Sequence, residues 1–166
     1  MYDKFGQFIN GVWQKSSGGE TYDVINPATE EIIGKASKAN SKDIDLALTA
    51  ASNGLEIWKN TSPWERAKVL RKISELIRKK SDVLSKWLTL EVGKPLSEGS
   101  GEVSGAADIF EWNSEETKRI YGETNQSRFP NTRIHVYYQP VGVVAALIPW
   151  NFPIVLASRK ISTALA

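Results

Sequence analysis

The chain has 166 residues, enough to bury one substantial core, and with 41% hydrophobic and 24% charged residues its composition is that of a folded protein rather than a disordered one. A formal charge of +2 is too small to point to nucleic acid or an anionic membrane as a partner, and the one basic run, Arg78-Lys79-Lys80, falls near a helix end, where cations favour the dipole. There is no cysteine, which rules out disulfides and a thiolate nucleophile in this chain and makes the cytoplasm the default location.

The opening MYDKFGQFING has no basic stretch followed by an apolar one, so no signal peptide is expected. From Phe5 to Trp13, Asn10-Gly11 between apolar residues predicts a hairpin with a type I′ turn. Ser16 to Gly19 is a second turn, Thr21 to Ile25 a strand, Asn26-Pro27-Ala28-Thr29 another turn, and Glu31 to Ala36 a further short strand.

Four helices are predicted next. Ser41 is placed as the cap of the first, with Asp43 and Asp45 in its first turn and a stripe of Ile44, Leu48, Ala51, Leu55 and Trp58. Ser62-Pro63-Trp64-Glu65 reads as a capping box with proline at the first helical position, opening a helix that buries Ala67, Leu70, Ile73 and Ile77. A third begins near Ser81 and stops at Gly93, with Pro95 beyond it. The fourth is expected from about Pro95 to Tyr121, with Val103, Ala107, Phe110, Ser114, Thr117 and Tyr121 on one side and Gly122 closing it. Periodicity of this kind signals packing rather than chemistry. From Arg128 to Tyr138 the chain alternates, with Ile134, Val136 and Tyr138 on one face and Arg133, His135 and Tyr137 on the other, which predicts a half-buried antiparallel strand.

The last stretch reads VGVVAALIPWNFPIVLASRKISTALA. Val141 to Ile148 is apolar without alternation, the pattern of a strand buried on both faces. Pro149-Trp150-Asn151-Phe152-Pro153 then turns sharply, and Ile154, Ala157, Ile161 and Leu165 form a helical face. Seventeen residues from Val141 to Ala157 carry no charge, yet two prolines and an asparagine interrupt them, and a buried strand accounts for the run better than a membrane span. A turn after a buried strand and before a helix is where open α/β sheets bind ligands.

Other motifs fail. Gly99, Gly101 and Gly105 are spaced one residue too far for a dinucleotide fingerprint, and Gly93-Lys94 lacks the rest of a phosphate loop. His135, the only histidine, reads as a solvent-facing strand residue, and one histidine without cysteine makes a zinc site improbable. Asn151 carries two readings that the residues leave open: an amide donor toward a developing oxyanion, or a cap for the helix that follows.

The segments "NPATEE", "ERAKVLRKISELI", "LEVGKPLSE", "ETKRIYGET" and, above all, "PWNFP" after a valine-rich strand resemble those of NAD(P)-dependent aldehyde dehydrogenases over essentially the whole chain, as its amino-terminal portion. The resemblance implies an α/β fold in which helices and antiparallel oligomerisation strands precede the first strand–helix unit of a Rossmann-like cofactor domain. It implies a division into amino-terminal strands over 1–36, a helical part of the cofactor-domain region over 41–122, an oligomerisation arm over 128–140 and a strand–turn–helix unit over 141–166. It further implies NAD or NADP as cofactor, a small-molecule aldehyde as substrate, a homo-oligomer, and no nucleic-acid or membrane partner.

By the same resemblance Asn151 helps form the oxyanion hole, and Ile148, Pro149, Trp150 and Asn151 contact the cofactor. Phe152 lines the substrate tunnel. The sequence "ASRKISTALA" is similar to the succinate-semialdehyde and lactaldehyde subgroups, in which Arg159 would reach the substrate's carboxylate or hydroxyl end. From the residues alone, Ile148 to Trp150 read equally as core filling, Phe152 as a helix-start staple and Arg159 as a solvated arginine. In the family the nucleophilic cysteine, the glutamate and the cofactor loop all lie beyond Ala166, so the chain by itself is expected to be inactive. The other reading is a non-catalytic oligomerisation module or a truncated remnant.

Overall fold

The computed structural model describes residues 6–166. Its elements run β1 (Gln7–Ile9), β2 (Val12–Gln14), β3 (Thr21–Ile25), β4 (Ile32–Ser37), α1 (Ser41–Trp58), α2 (Pro63–Lys79), α3 (Ser81–Val92), α4 (Leu96–Glu116), β5 (Glu123–Gln126), β6 (Arg133–Val136) and α5 (Pro153–Leu165). Phe5, where the predicted first hairpin begins, lies outside the described residues.

The strands form three separate antiparallel ribbons: β1 with β2, β3 with β4, and β5 with β6. Asn10 and Gly11 have φ of 51° and 79°, the left-handed pair that a two-residue turn requires, and they bring Phe8 opposite Trp13. The ribbon is fastened to α1 by Asp43. This buried carboxylate accepts hydrogen bonds from the Ser16 hydroxyl at 2.7 Å, the Ser17 N–H at 2.9 Å, the Asn40 N–H at 3.1 Å and the Gln7 amide at 3.2 Å. The cap of α1 is Asn40, not Ser41: its side chain accepts from the Asp43 N–H, while the Asp43 side chain returns to the Asn40 N–H, a reciprocal box. The predicted stripe of α1 is largely open, with Ile44 and Leu48 each about half exposed. Among the described residues, polar contacts at the helix start and at Trp58 hold α1 in place of an apolar seam.

The core surrounds α4, against which α2, α3 and α5 pack. It consists of Ala67 and Leu70 from α2, Leu88 from α3, and Val103, Ala106, Ala107 and Phe110 from α4. Burying each large aliphatic or aromatic side chain here stabilises the fold by about 1.5–3 kcal/mol. At the rim of the α2–α4 seam Arg71 reaches Glu111 and Glu115, and Arg78 bonds Asp108 at 2.6 Å and Glu111 at 2.8 Å. Ser62 caps α2, and Gly93 at φ 79° ends α3, both as the residue pattern predicts. α4 ends earlier than predicted: a 3-10 turn over Thr117–Arg119 takes over, and Tyr121 lies outside the helix, exposed.

Two predicted strands differ from those observed. The arm strand is shorter, Arg133–Val136, and pairs with Glu123–Gln126, a strand the residue pattern did not reveal; all eight residues are exposed, so neither face is half-buried. Val141 to Ile148 is not a buried strand in this chain. It is extended without ladder partners, and Val141 and Leu147 are 93% and 81% exposed. A strand exists only through its neighbours. Among the described residues none runs beside this segment.

α5 starts at Pro153 as predicted, but its covered face is different. Ser158 and Ser162 are buried against α4, while Ile161 is 40% exposed. The Asn113 amide of α4 donates to the Ser162 hydroxyl at 2.8 Å. At the far end of α5 the Trp58 indole donates to the Leu165 carbonyl at 2.9 Å and Arg66 to the Ala166 carbonyl at 3.0 Å. No helix among the described residues is long and apolar enough to cross a membrane.

Candidate active site

The turn at 149–153 is held from beneath by two charged residues. Gly93 leaves α3 in the left-handed conformation, and Pro95 restricts Lys94 to extended backbone, so the corner between α3 and α4 is rigid. From it the Lys94 side chain runs under the start of α5. Glu102, two turns into α4, lies on the same buried side as Val103 and Ala106. Lys94 and Glu102 are 8% and 6% exposed, and their ammonium and carboxylate meet at 2.5 Å.

A carboxylate this buried needs every lone pair occupied. The other oxygen of Glu102 accepts the backbone N–H groups of Ile154 at 2.9 Å and Val155 at 3.2 Å. These are the second and third residues of α5, whose N–H groups have no partner within the helix, and Pro153 at the first position has none to satisfy. Glu102 therefore caps α5 from another helix, with its negative charge at the positive end of the dipole. Lys94 completes the arrangement by donating to the Asn151 carbonyl at 3.0 Å and lying 4.0 Å from the centroid of the Phe152 ring.

The cap reading of Asn151 is thereby overturned. Phe152 occupies the cap position without a side-chain hydrogen bond, and the vacant N–H groups go to Glu102. Asn151 is anchored by its backbone carbonyl, and its side-chain amide is exposed and makes no hydrogen bond among the described residues. Trp150 is 77% exposed, Phe152 47% and Ile148 37%, and Pro149 is exposed too, so none of them serves as core filling in this chain. Arg159 is exposed two turns into α5 and forms no ion pair among the described residues. The predicted residues Ile148, Pro149, Trp150, Asn151 and Phe152 thus sit together on one open corner, with Arg159 farther along the helix.

Sequence reasoning missed Lys94 and Glu102. As a sequence, Gly93-Lys94 resembles only a remnant of a phosphate loop. The available signal was a glutamate set among small and apolar residues, Gly99, Val103 and Ala106, on a face that packs. Since Glu102 already occupies the free N–H groups of α5, this helix start is not a phosphate cradle, in contrast to dinucleotide folds whose pyrophosphate rests on the first helix. An open hollow of about 490 Å³ lies elsewhere on α4, lined by Asp108, Glu111, Trp112, Glu115, Glu116 and Arg119, and takes no part in this corner. No group of three or more His, Cys, Asp or Glu suited to a metal ion occurs among the described residues.

The exposed corner before α5 thus presents an amide on a scaffold of helices and antiparallel ribbons. The sequence model of the Aldehyde dehydrogenase family matches residues 13–166, and the chain belongs to that family. It is 43% identical over 159 residues to the glutarate-semialdehyde dehydrogenase of Pseudomonas putida, the match taking in 96% of this chain and 33% of that protein. It is 42% identical over 158 residues to the NADP(+) succinate-semialdehyde dehydrogenase of Escherichia coli K12, covering 95% of this chain and 33% of that protein. Among solved structures, an E. coli NADP-dependent enzyme superposes with a TM-score of 0.92 at 42% identity, over 95% of this chain and 33% of the other. The chain spans about a third of the length of the relatives it matches.

Proposed function

We propose that this chain is the amino-terminal portion of an enzyme that oxidises an aldehyde bearing a carboxylate or hydroxyl at its far end to the carboxylic acid. The observation that carries the reading is Asn151, whose backbone is clamped by Lys94 while its side-chain amide stands free at the corner. When a nucleophile adds to an aldehyde carbonyl, the oxygen gains a full negative charge, and a preorganised amide N–H stabilises it without reorganising at the moment of reaction. Ile148, Pro149 and Trp150 form an exposed apolar ledge beside that amide and would flank the cofactor ring. NAD or NADP, when bound, accepts the hydride released from the tetrahedral adduct. Phe152 would line the substrate's approach, and Arg159 offers a planar fork of donors suited to a terminal carboxylate.

This chain has no cysteine to serve as the thiolate and is inactive alone in this reading. The exposed β5–β6 ribbon, whose second strand lies within the proposed oligomerisation arm, and the exposed segment 141–148 would in this reading be covered by further chain, whether of the same polypeptide or of another subunit. The decisive assay places residues 13–166 in a full-length enzyme whose remaining two thirds come from the E. coli relative. Asn151→Ala is expected to lower kcat with succinate semialdehyde by about 100- to 1000-fold with KM little changed. An unaltered kcat would overturn the assignment.

A further inference from the structure

We infer that Lys94 and Glu102 are a positioning pair, which fixes the backbone of Asn151 so that its amide is aimed before substrate arrives; this rests on the oxyanion reading of Asn151. Three independent links converge. Glu102 fixes the start of α5 through the N–H groups of Ile154 and Val155, Lys94 grips the Asn151 carbonyl directly, and the short ion pair joins the two anchors. Asn151 is thus held through its own carbonyl and, on its C-terminal side, through the helix that begins two residues on. Neither charged side chain reaches the open face where substrate would lie, since both are buried beneath the turn. They act through Asn151, not on the reacting atoms.

The arrangement is costly as packing alone. Burying two ions is repaid only by complete pairing, and apolar residues of similar volume usually serve a core as well or better. Here the apolar alternative would leave two helix N–H groups and the Asn151 carbonyl without partners. The charged pair is explained by the need to hold a non-helical turn in one geometry, where a displacement of about 1 Å at a reacting group costs on the order of 100-fold in rate.

The test compares two variants. Lys94→Met with Glu102→Leu removes both charges at similar volume, and Glu102→Gln keeps an acceptor for the helix start. In the 166-residue chain, hydrogen exchange of the Ile154 and Val155 amides should speed up more than tenfold in the double variant and much less in Glu102→Gln. In the full-length hybrid the double variant should lose kcat on the order of 100-fold with KM for the aldehyde nearly unchanged, and Glu102→Gln should recover part of that loss. Added to Asn151→Ala, the double variant should cost little more, because both changes disable one group. Unchanged exchange, or losses in kcat that simply multiply with that of Asn151→Ala, would overturn the proposal. If Asn151→Ala alone leaves kcat intact, the oxyanion reading is what fails. Faster exchange would then support the anchoring by itself, and unchanged exchange would overturn it too.

Discussion

Asn113 of α4 donates its side-chain amide to the hydroxyl of Ser162 on α5 at 2.8 Å, in a seam where Ser162 is completely buried. Ser162 in turn donates to the Ser158 carbonyl at 2.5 Å, so the contact between the two helices is made by small polar side chains rather than interlocking leucines. Two helices approach closely only where their facing side chains are short, and this seam determines how the start of α5 meets Glu102.

Enlarging that seam should therefore be more harmful than removing its hydrogen bond. Ser162→Ala removes two buried hydrogen bonds and is expected to cost about 1–3 kcal/mol. Ser162→Leu loses the same bonds and should cost about 1–3 kcal/mol more through overpacking. Urea denaturation midpoints of the two variants give the comparison, and equal losses would contradict a close-packed seam.

Gly93 meets two demands that only glycine satisfies. Its φ is 79°, and a Cβ there would stand 2.8 Å from Cγ of Pro27 in the turn after β3. Gly93→Ala should destabilise by at least the roughly 1–2 kcal/mol of a left-handed non-glycine residue, with the clash adding to it. A denaturation midpoint within error of the parent would show that the corner yields more easily than its packing suggests.

Acid should loosen the attachment of the β1–β2 ribbon to α1. The Ser17 N–H, joined by the Ser16 hydroxyl and the Asn40 N–H, holds the Asp43 carboxyl well below the usual carboxylate range against the opposing effect of burial. A carboxyl depressed in the folded state contributes stability that is complete above its unfolded pKa, about 3.9, and is lost as pH falls toward the folded value. The Asp43→Asn chain should thus start less stable at pH 7 and lose less between pH 5 and pH 3 than the parent. Parallel pH profiles for the two would refute the linkage. Other carboxylates contribute equally to both chains, and Glu115, whose pKa is lowered by Lys118 and Arg71, is one of them.

In the full-length hybrid, Arg159→Gln is expected to raise KM for succinate semialdehyde by roughly 10- to 100-fold, the worth of a charge-assisted hydrogen bond. An uncharged aldehyde of similar length should be unaffected. Equal effects on both substrates would assign Arg159 to structure instead of recognition.

Much of the local grammar was legible: the Asn10-Gly11 turn, the Ser62 cap, the Gly93 stop and the Pro153 start appear where the residues place them, while the α1 cap falls one residue earlier and α4 stops short of Tyr121. These features depend on a few neighbouring dihedral angles and on side chains that reach no further than the next turn. The turn before α5 was legible too, since Pro149 and Pro153 bracket it. Burial was the weaker inference. The apolar period of α1 and α5 indicated faces that the structure leaves half open, and Val141 to Ile148 read as a strand buried on both faces although no described strand pairs with it. Period shows which residues lie on one side of an element, and only the packing of other elements decides whether that side is covered.

By itself, then, the sequence determined most helix starts and turns, including the turn from Pro149 to Pro153, because these follow from short-range sterics and adjacency. Only the tertiary structure decided what holds that corner. Lys94 and Glu102 lie 57 and 49 residues before Asn151 and meet beneath it because α4 packs across the start of α5. Lys94 and Glu102 are eight residues apart around the start of α4, but that α5 begins above them follows from where α4 and α5 cross, and no periodicity within either helix encodes it.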